Sequence, residues 1–196
     1  MIEALTAAGR TLGFSFAAGI NLYATIALLG LSTRYGWVNL PEQYRVFDSD
    51  VVIGAAIVLY VVEFFADKIP WVDSIWDGLH TIIRPAGGAF IAVATLGEAS
   101  APVEGLVALL GGSLAAGTHL TKAGTRAVVN TSPEPFSNWA LSIGEDVFVV
   151  SLGLIALQYP LLAAAIVLIG VVLIAIFAAW TLRAIRRRWR AARSPG

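Results

Sequence analysis

Residues 160–183 read PLLAAAIVLIGVVLIAIFAAWTLR, and no charge appears before the closing Arg183. As a helix rising 1.5 Å per residue the run is about 35 Å long, enough to cross a hydrocarbon core of roughly 30 Å. Lipid offers the backbone no hydrogen-bonding partners, so a single apolar segment crosses it as a helix. This run therefore points to an all-α, polytopic membrane protein. The rest of the chain agrees: only 13% of its 196 residues are charged and 58% are hydrophobic, against about 25% charged in a soluble domain. Residues 1–196 are read as a single integral membrane domain.

Six segments are apolar enough to span: about 11–33, 51–69, 81–98, 103–121, 141–159 and 160–183. Arg84-Pro85 and Gly87-Gly88 lie early in the third, which is expected to be broken. The fourth is expected to continue as a helix to about residue 129. Gln158-Tyr159-Pro160 leaves almost no loop, so the last two spans should form a tight antiparallel hairpin. With six spans and the arginine-rich tail (184–196) inside, eleven Lys and Arg fall on the inner side and only Arg34 and Arg45 on the outer. That is the asymmetry of the positive-inside rule and places both termini in the cytoplasm, with the chain in the cytoplasmic membrane. The start, Met1-Ile2-Glu3, lacks the basic region of a signal peptide and is read as retained. A five-span count, merging 81–121 into one re-entrant element, spoils the charge split.

Ala17-Ala18-Gly19-Ile20-Asn21-Leu22 resembles Ala115-Ala116-Gly117-Thr118-His119-Leu120, and Ser49-Asp50-Val51-Val52 can be laid beside Glu145-Asp146-Val147-Phe148. Both offsets are close to one hundred residues. They suggest a 3+3 inverted repeat with halves 11–98 and 103–183, an arrangement that sets transport sites near mid-membrane. It would pair Asn21 with His119. The competing reading is that small residues recur wherever membrane helices pack closely.

Charges in so apolar a chain need a reason. Glu63 and Asp67 are four apart on one helix face. Glu63 falls about 9 Å inside the end of its span. A charge at mid-membrane costs about 2.5–3.5 kcal/mol on insertion scales, so a carboxylate there either binds protons or cations or pairs with a neighbouring helix. Lys68 reads as an interfacial anchor. Pro70 should end the second span. After it, Trp71, Ile75 and Leu79 share one face and Asp73, Asp77 and His80 another, the pattern of a short amphipathic helix on the membrane surface. The sharper alternative folds Asp73 or Asp77 back beside Asp67 as further cation ligands.

His119, Lys122 and Arg126 recur at helical spacing. With Arg84 and Asn21 they form a polar set that could cradle an anion, partner Glu63 and Asp67, or simply end the fourth span. Ser137 or Asn138 is a candidate cap for a helix opening at Trp139, with Glu145 and Asp146 about two turns inside and one of them pointing inward. His80 and His119 lack zinc-protease spacing, no nucleotide loop is present, and no nucleophile–base pair is evident. Neither an enzyme, a cofactor nor a nucleic-acid partner is expected, and the identity of any bound metal is open. Without cysteine, disulfides and thiolate metal sites are excluded.

The stretches AAGINLY, EFFADKIPWVDSIWD, THLTKAGTRAVVNTSPEP with SNW, and GEDV resemble the bacterial integral-membrane family called domain of unknown function four-one-two-six, over about residues 11–180. The resemblance implies a membrane protein, and it implies that the acidic stretch and the Thr-Lys-Arg helix are family features. It adds no substrate.

Three functions are open at this level. In the first, a small secondary transporter or channel binds cations or protons at Glu63, Asp67, Glu145 and Asp146. In the second, the chain binds or flips an anionic lipid such as a polyprenyl phosphate, using Arg84, His119, Lys122 and Arg126. In the third, the chain is a scaffold whose buried charges only specify helix pairing. Lipid is the expected surrounding, and a homodimer is compatible with a chain this small.

Overall fold

A computed structural model describes residues 2–40, 42–131 and 136–193. All of the long elements are helices: α1 (Ile2–Ile20), α2 (Leu22–Arg34), α3 (Asp50–Ala66), α4 (Pro70–Leu96), α5 (Ala101–Val129), α6 (Phe136–Gln158) and α7 (Pro160–Arg193), with a 3-10 segment at Glu42–Asp48. Four of them are long and apolar enough to cross a membrane: α4, α5, α6 and Pro160–Ala184 of α7. The chain is thus all-α and has the helices of a multi-pass membrane protein.

The segment 11–33 is not one helix. It breaks at Asn21, whose backbone is extended (φ −143°, ψ 100°). The Asn21 Oδ1 accepts the Ala24 N–H at 2.9 Å and so caps α2. Asparagine offers the backbone a local alternative to the helical bond, and here the alternative wins. The other half of the proposed repeat behaves differently, because His119 lies inside an unbroken α5. Ser49 does cap α3, its Oγ accepting from Val52 N–H, whereas Glu145 and Asp146 lie well inside α6.

Pro70 separates α3 from α4 as expected, standing in the first turn of the new helix where its missing N–H is harmless. Beyond it there is no short surface helix leading into a broken span. Residues 70–96 are one helix that runs through Pro85. Its polar stripe faces inward: Asp73, Asp77 and His80 are 0%, 5% and 2% exposed, while Trp71, Ile75, Leu79 and Ile82 are 60% to 79% exposed. The expected solvated face is therefore the buried one. The cause is continuity: Asp73, Asp77, His80 and Arg84 recur every three or four residues and run on into Gly88, Ile91 and Thr95, all buried on the same side.

Small residues let the helices approach. An added Cβ at Gly88 would overlap the Ala115 side chain, one at Gly111 would overlap Ala92, and one at Gly19 would overlap Thr118 and the Ala115 carbonyl. α1 lies at the centre, with Phe14, Ala17 and Ala18 buried among Leu29, Ile91, Val149, Leu152 and Val167. α6 and α7 form the expected hairpin across Tyr159. α6 opens at Phe136, before Trp139, so Asn138 sits in its first turn rather than capping it. The prolines of the 130–135 loop and the last residues of the tail, 194–196, lie outside the described residues; up to Arg193 the tail continues α7.

Candidate functional site

The C-terminal end of α3, the first half of α4, the last third of α5 and the first half of α6 converge, with the α1–α2 break at their side. Each contributes charge. Arg84 on α4 donates from Nη2 to Glu63 Oε1 at 2.6 Å, and its Nη1 is 3.3 Å from Asp77 Oδ1. Lys122 Nζ donates to Asp67 Oδ2 at 2.9 Å and stands 3.5 Å from both Glu63 and Glu145. Arg126 reaches Asp67 Oδ2 at 2.9 Å, Glu145 Oε2 at 2.7 Å and the Asp67 carbonyl at 2.9 Å. It also donates to Asn138 Oδ1. Asn130 donates to Asp73 Oδ2 at 2.6 Å. Asn21 Nδ2 donates to Asp146 Oδ1 at 3.1 Å, so one amide both caps α2 and holds α6.

The imidazoles are fixed by their partners. Arg84 Nη1, which can only donate, lies 2.8 Å from His119 Nδ1. Nδ1 must then accept, and the proton sits on Nε2, 3.2 Å from Thr81 Oγ1. His80 Nδ1 faces the Trp76 carbonyl at 2.7 Å and so carries a proton, and its Nε2 lies 2.9 Å from the Tyr23 hydroxyl. His119, whose Nδ1 must accept, is neutral in this arrangement.

The charges do not balance. Six carboxylates, Glu63, Asp67, Asp73, Asp77, Glu145 and Asp146, are buried or nearly so, against the cations of Arg84, Lys122 and Arg126. Lys68 stands at the edge, donating to the Phe64 carbonyl at 2.9 Å with its ammonium 3.1 Å from the centre of the Phe64 ring. Even with Lys68 the acids are in excess. Among the described residues, four buried carboxylate oxygens, Glu63 Oε2, Asp67 Oδ1, Asp73 Oδ1 and Asp146 Oδ2, have no hydrogen-bond partner. Among the described residues no three His, Asp or Glu side chains converge so as to hold a metal ion.

Beside the network a cavity of about 390 Å³ opens on one side, lined from α1, α5, α6 and α7. Lys122 and Glu145 are its charged lining residues, and Thr118, Thr121 and Thr125 its hydroxyls.

The structure thus gathers every residue singled out from the sequence: Asn21, Glu63, Asp67, Asp73, Asp77, Arg84, His119, Lys122, Arg126, Glu145 and Asp146. Both Glu145 and Asp146 reach inward, through different partners, rather than one alone. Lys122 and Arg126 partner Asp67, while Arg84 takes Glu63. Sequence reasoning missed Tyr23, Thr81, Asn130 and Ser142, the last of these buried and 3.4 Å from the Lys68 ammonium. Spacing held a signal for three of them: Thr81 is four after Asp77, Asn130 four after Arg126, and Ser142 four before Asp146. Tyr23 gave none.

Neither the curated proteins nor the solved structures contain a match to this chain. A family model described as domain of unknown function (DUF4126) matches residues 9–181, which take in the whole ion network and both walls of the cavity. The chain belongs to that family.

Proposed function

We propose that the protein is a small secondary transporter that binds and releases protons at its buried ion network. The observation that carries this reading is the excess of buried carboxylates over cations. An unpaired charge in a medium of low dielectric is strongly disfavoured, so the surplus carboxyls take up protons or a monovalent cation. Protons suit the geometry better, because the carboxylates each face an Arg, Lys or Asn rather than a shared centre. The same pairing weighs against a phosphate cradle: Arg84, Lys122 and Arg126 are already engaged by carboxylates.

The reading extends to topology. The α1–α2 pair turns at Asn21 and returns to the face it came from. Gly9 lies against Pro160 of the α6–α7 turn and Thr11 against Thr95 at the end of α4, while Gly30 of α2 lies against Ile53 at the start of α3, so the pair is re-entrant and α3 to α7 make five crossings. With the basic end of α7 on the cytoplasmic side of a bacterial inner membrane, the start of α1, packed on the α6–α7 turn, lies on the opposite side. The network falls in the cytoplasmic half, and a half-helix start at Leu22 is tied to Asp146. Broken helices at a binding site are a common design of secondary transporters.

Proteoliposomes loaded with a pH-sensitive dye test the proposal. Under an imposed membrane potential the wild type is expected to carry protons faster than empty vesicles. Asp146→Asn, which keeps an amide beside Asn21, is expected to return the rate to the vesicle background. Equal rates in wild type, variant and empty vesicles would leave the network a purely structural role in helix pairing.

A further inference from the structure

The cavity beside the network has a two-part chemistry. Phe16, Ile20, Leu141, Phe148, Ile169 and Leu173 give it apolar walls. Its two charged lining residues are Lys122 and Glu145. These two are not equivalent. Lys122 Nζ is surrounded by Asp67, Glu63, Glu145 and the Ile20 carbonyl, at 2.9, 3.5, 3.5 and 3.2 Å, so an anion approaching it meets three carboxylates. Glu145 is the more open, with 13% of its side chain exposed against 2% for Lys122. Arg126 and Lys122 both hold it through Oε2, which leaves Oε1 available.

The surroundings of Glu145 set the sign of what fits. α5 presents Lys122, Arg126 and the neutral His119. The end of α3 presents Glu63 and Asp67, with Lys68 after it, and α4 presents Asp73, Asp77 and Arg84 behind them. Asp146 is its neighbour on α6. α1 and α7 bring only apolar side chains to the cavity. The total is acid-rich, so the cavity favours a cation with a hydrocarbon body.

From this we infer that the cavity binds an amphipathic amine, its hydrocarbon part seated between α5, α6 and α7 and its protonated nitrogen at the Glu145 carboxylate. The inference rests on the proton-binding reading above and names the class of solute that would compete with the proton. One ammonium bound to the network displaces one proton from it, and the charge of the site is unchanged.

The experiment uses the full chain in nanodiscs of zwitterionic lipid, with decylamine, decyl phosphate and decanol as probes and empty nanodiscs as the blank. Decylamine is expected to bind tightest, and its dissociation constant to rise about tenfold per pH unit on acidification, as exchange for one proton requires. Glu145→Gln should weaken it at least about tenfold. Thr125→Phe should do the same by filling the cavity, because, among the described residues, the Thr125 hydroxyl donates to the Thr121 carbonyl and takes no part in the ion pairs. It therefore serves where Glu145→Gln fails to fold, and it should bind protons as the wild type does. Tighter binding of decyl phosphate, equal binding of decanol, or decylamine binding unchanged in both variants overturns the inference. If decylamine fails to bind while the wild type still carries protons, the amine site falls and the proton reading stands. Decylamine binding that ignores pH, in a protein that carries no protons, does the reverse.

Discussion

Arg84 and Glu63 meet at 2.6 Å with neither side chain exposed. They stand on different helices, α4 and α3, and the contact between those helices is otherwise slight. The pair ties α3 to α4, while α2 gives α3 its main packing. Removing one partner strands a charge, so Arg84→Met is expected to lose about 3–5 kcal/mol, while the double variant Arg84→Met with Glu63→Leu regains most of it. Reversible unfolding in detergent measures both. A double variant no more stable than the single one would show that the pair is not the unit of stability here.

Asn21 serves α2 and α6 with one side chain. Asn21→Ala removes the cap and the Asp146 bond together and should cost about 1–2 kcal/mol. Asn21→Ser restores a cap but is too short to reach Asp146. Its recovery should be partial, and the remaining gap measures the Asp146 bond. Full recovery by serine would mean that bond contributes nothing.

The inward polar stripe of α4 is open to spin labelling, since the chain has no cysteine to remove. Labels at Ile75→Cys and Leu79→Cys should collide freely with oxygen, which concentrates in lipid, and rarely with a water-soluble nickel reagent. The opposite preference would return α4 to the membrane surface.

Gly19 lies against α5 so closely that a methyl would overlap Thr118 and Ala115. Gly19→Ala is expected to destabilise by about 1–3 kcal/mol. Gly54, in α3, has open space where a Cβ would stand. Gly54→Ala should be neutral or stabilise by up to about 1 kcal/mol. Equal melting temperatures for the two variants would contradict the close α1–α5 approach.

Much of this was legible in the chain because lipid makes strong demands. The 160–183 run, the hairpin at Tyr159 and the extension of α5 to Val129 all come from length and hydropathy. The break at Asn21 was not legible, because the run on either side of it is apolar throughout and a single polar residue does not announce which bond it will take. The direction of α4 failed for a more general reason. Spacing shows that Asp73, Asp77, His80 and Arg84 share a face, but not whether that face looks to water or to protein. In a soluble helix the polar face looks out; with lipid outside, the same stripe turns in. Nor does periodicity say that Arg84 takes Glu63 while Lys122 and Arg126 take Asp67, since such pairings join residues tens of positions apart.

The buried stripe of α4 also bears on how the chain is made. As it leaves the ribosome, α4 carries Asp73, Asp77 and Arg84 on a helix that must enter lipid, at about 2.5–3.5 kcal/mol for each charge near the middle. Glu63 has by then been synthesised and can meet Arg84, but His119, Lys122 and Arg126 arrive only with α5, and Asn130 comes later still. Insertion one helix at a time would leave those carboxylates facing hydrocarbon. α4 is therefore expected to enter the bilayer together with α5, whose end brings Asn130 to Asp73 and whose His119 meets Arg84 and Thr81.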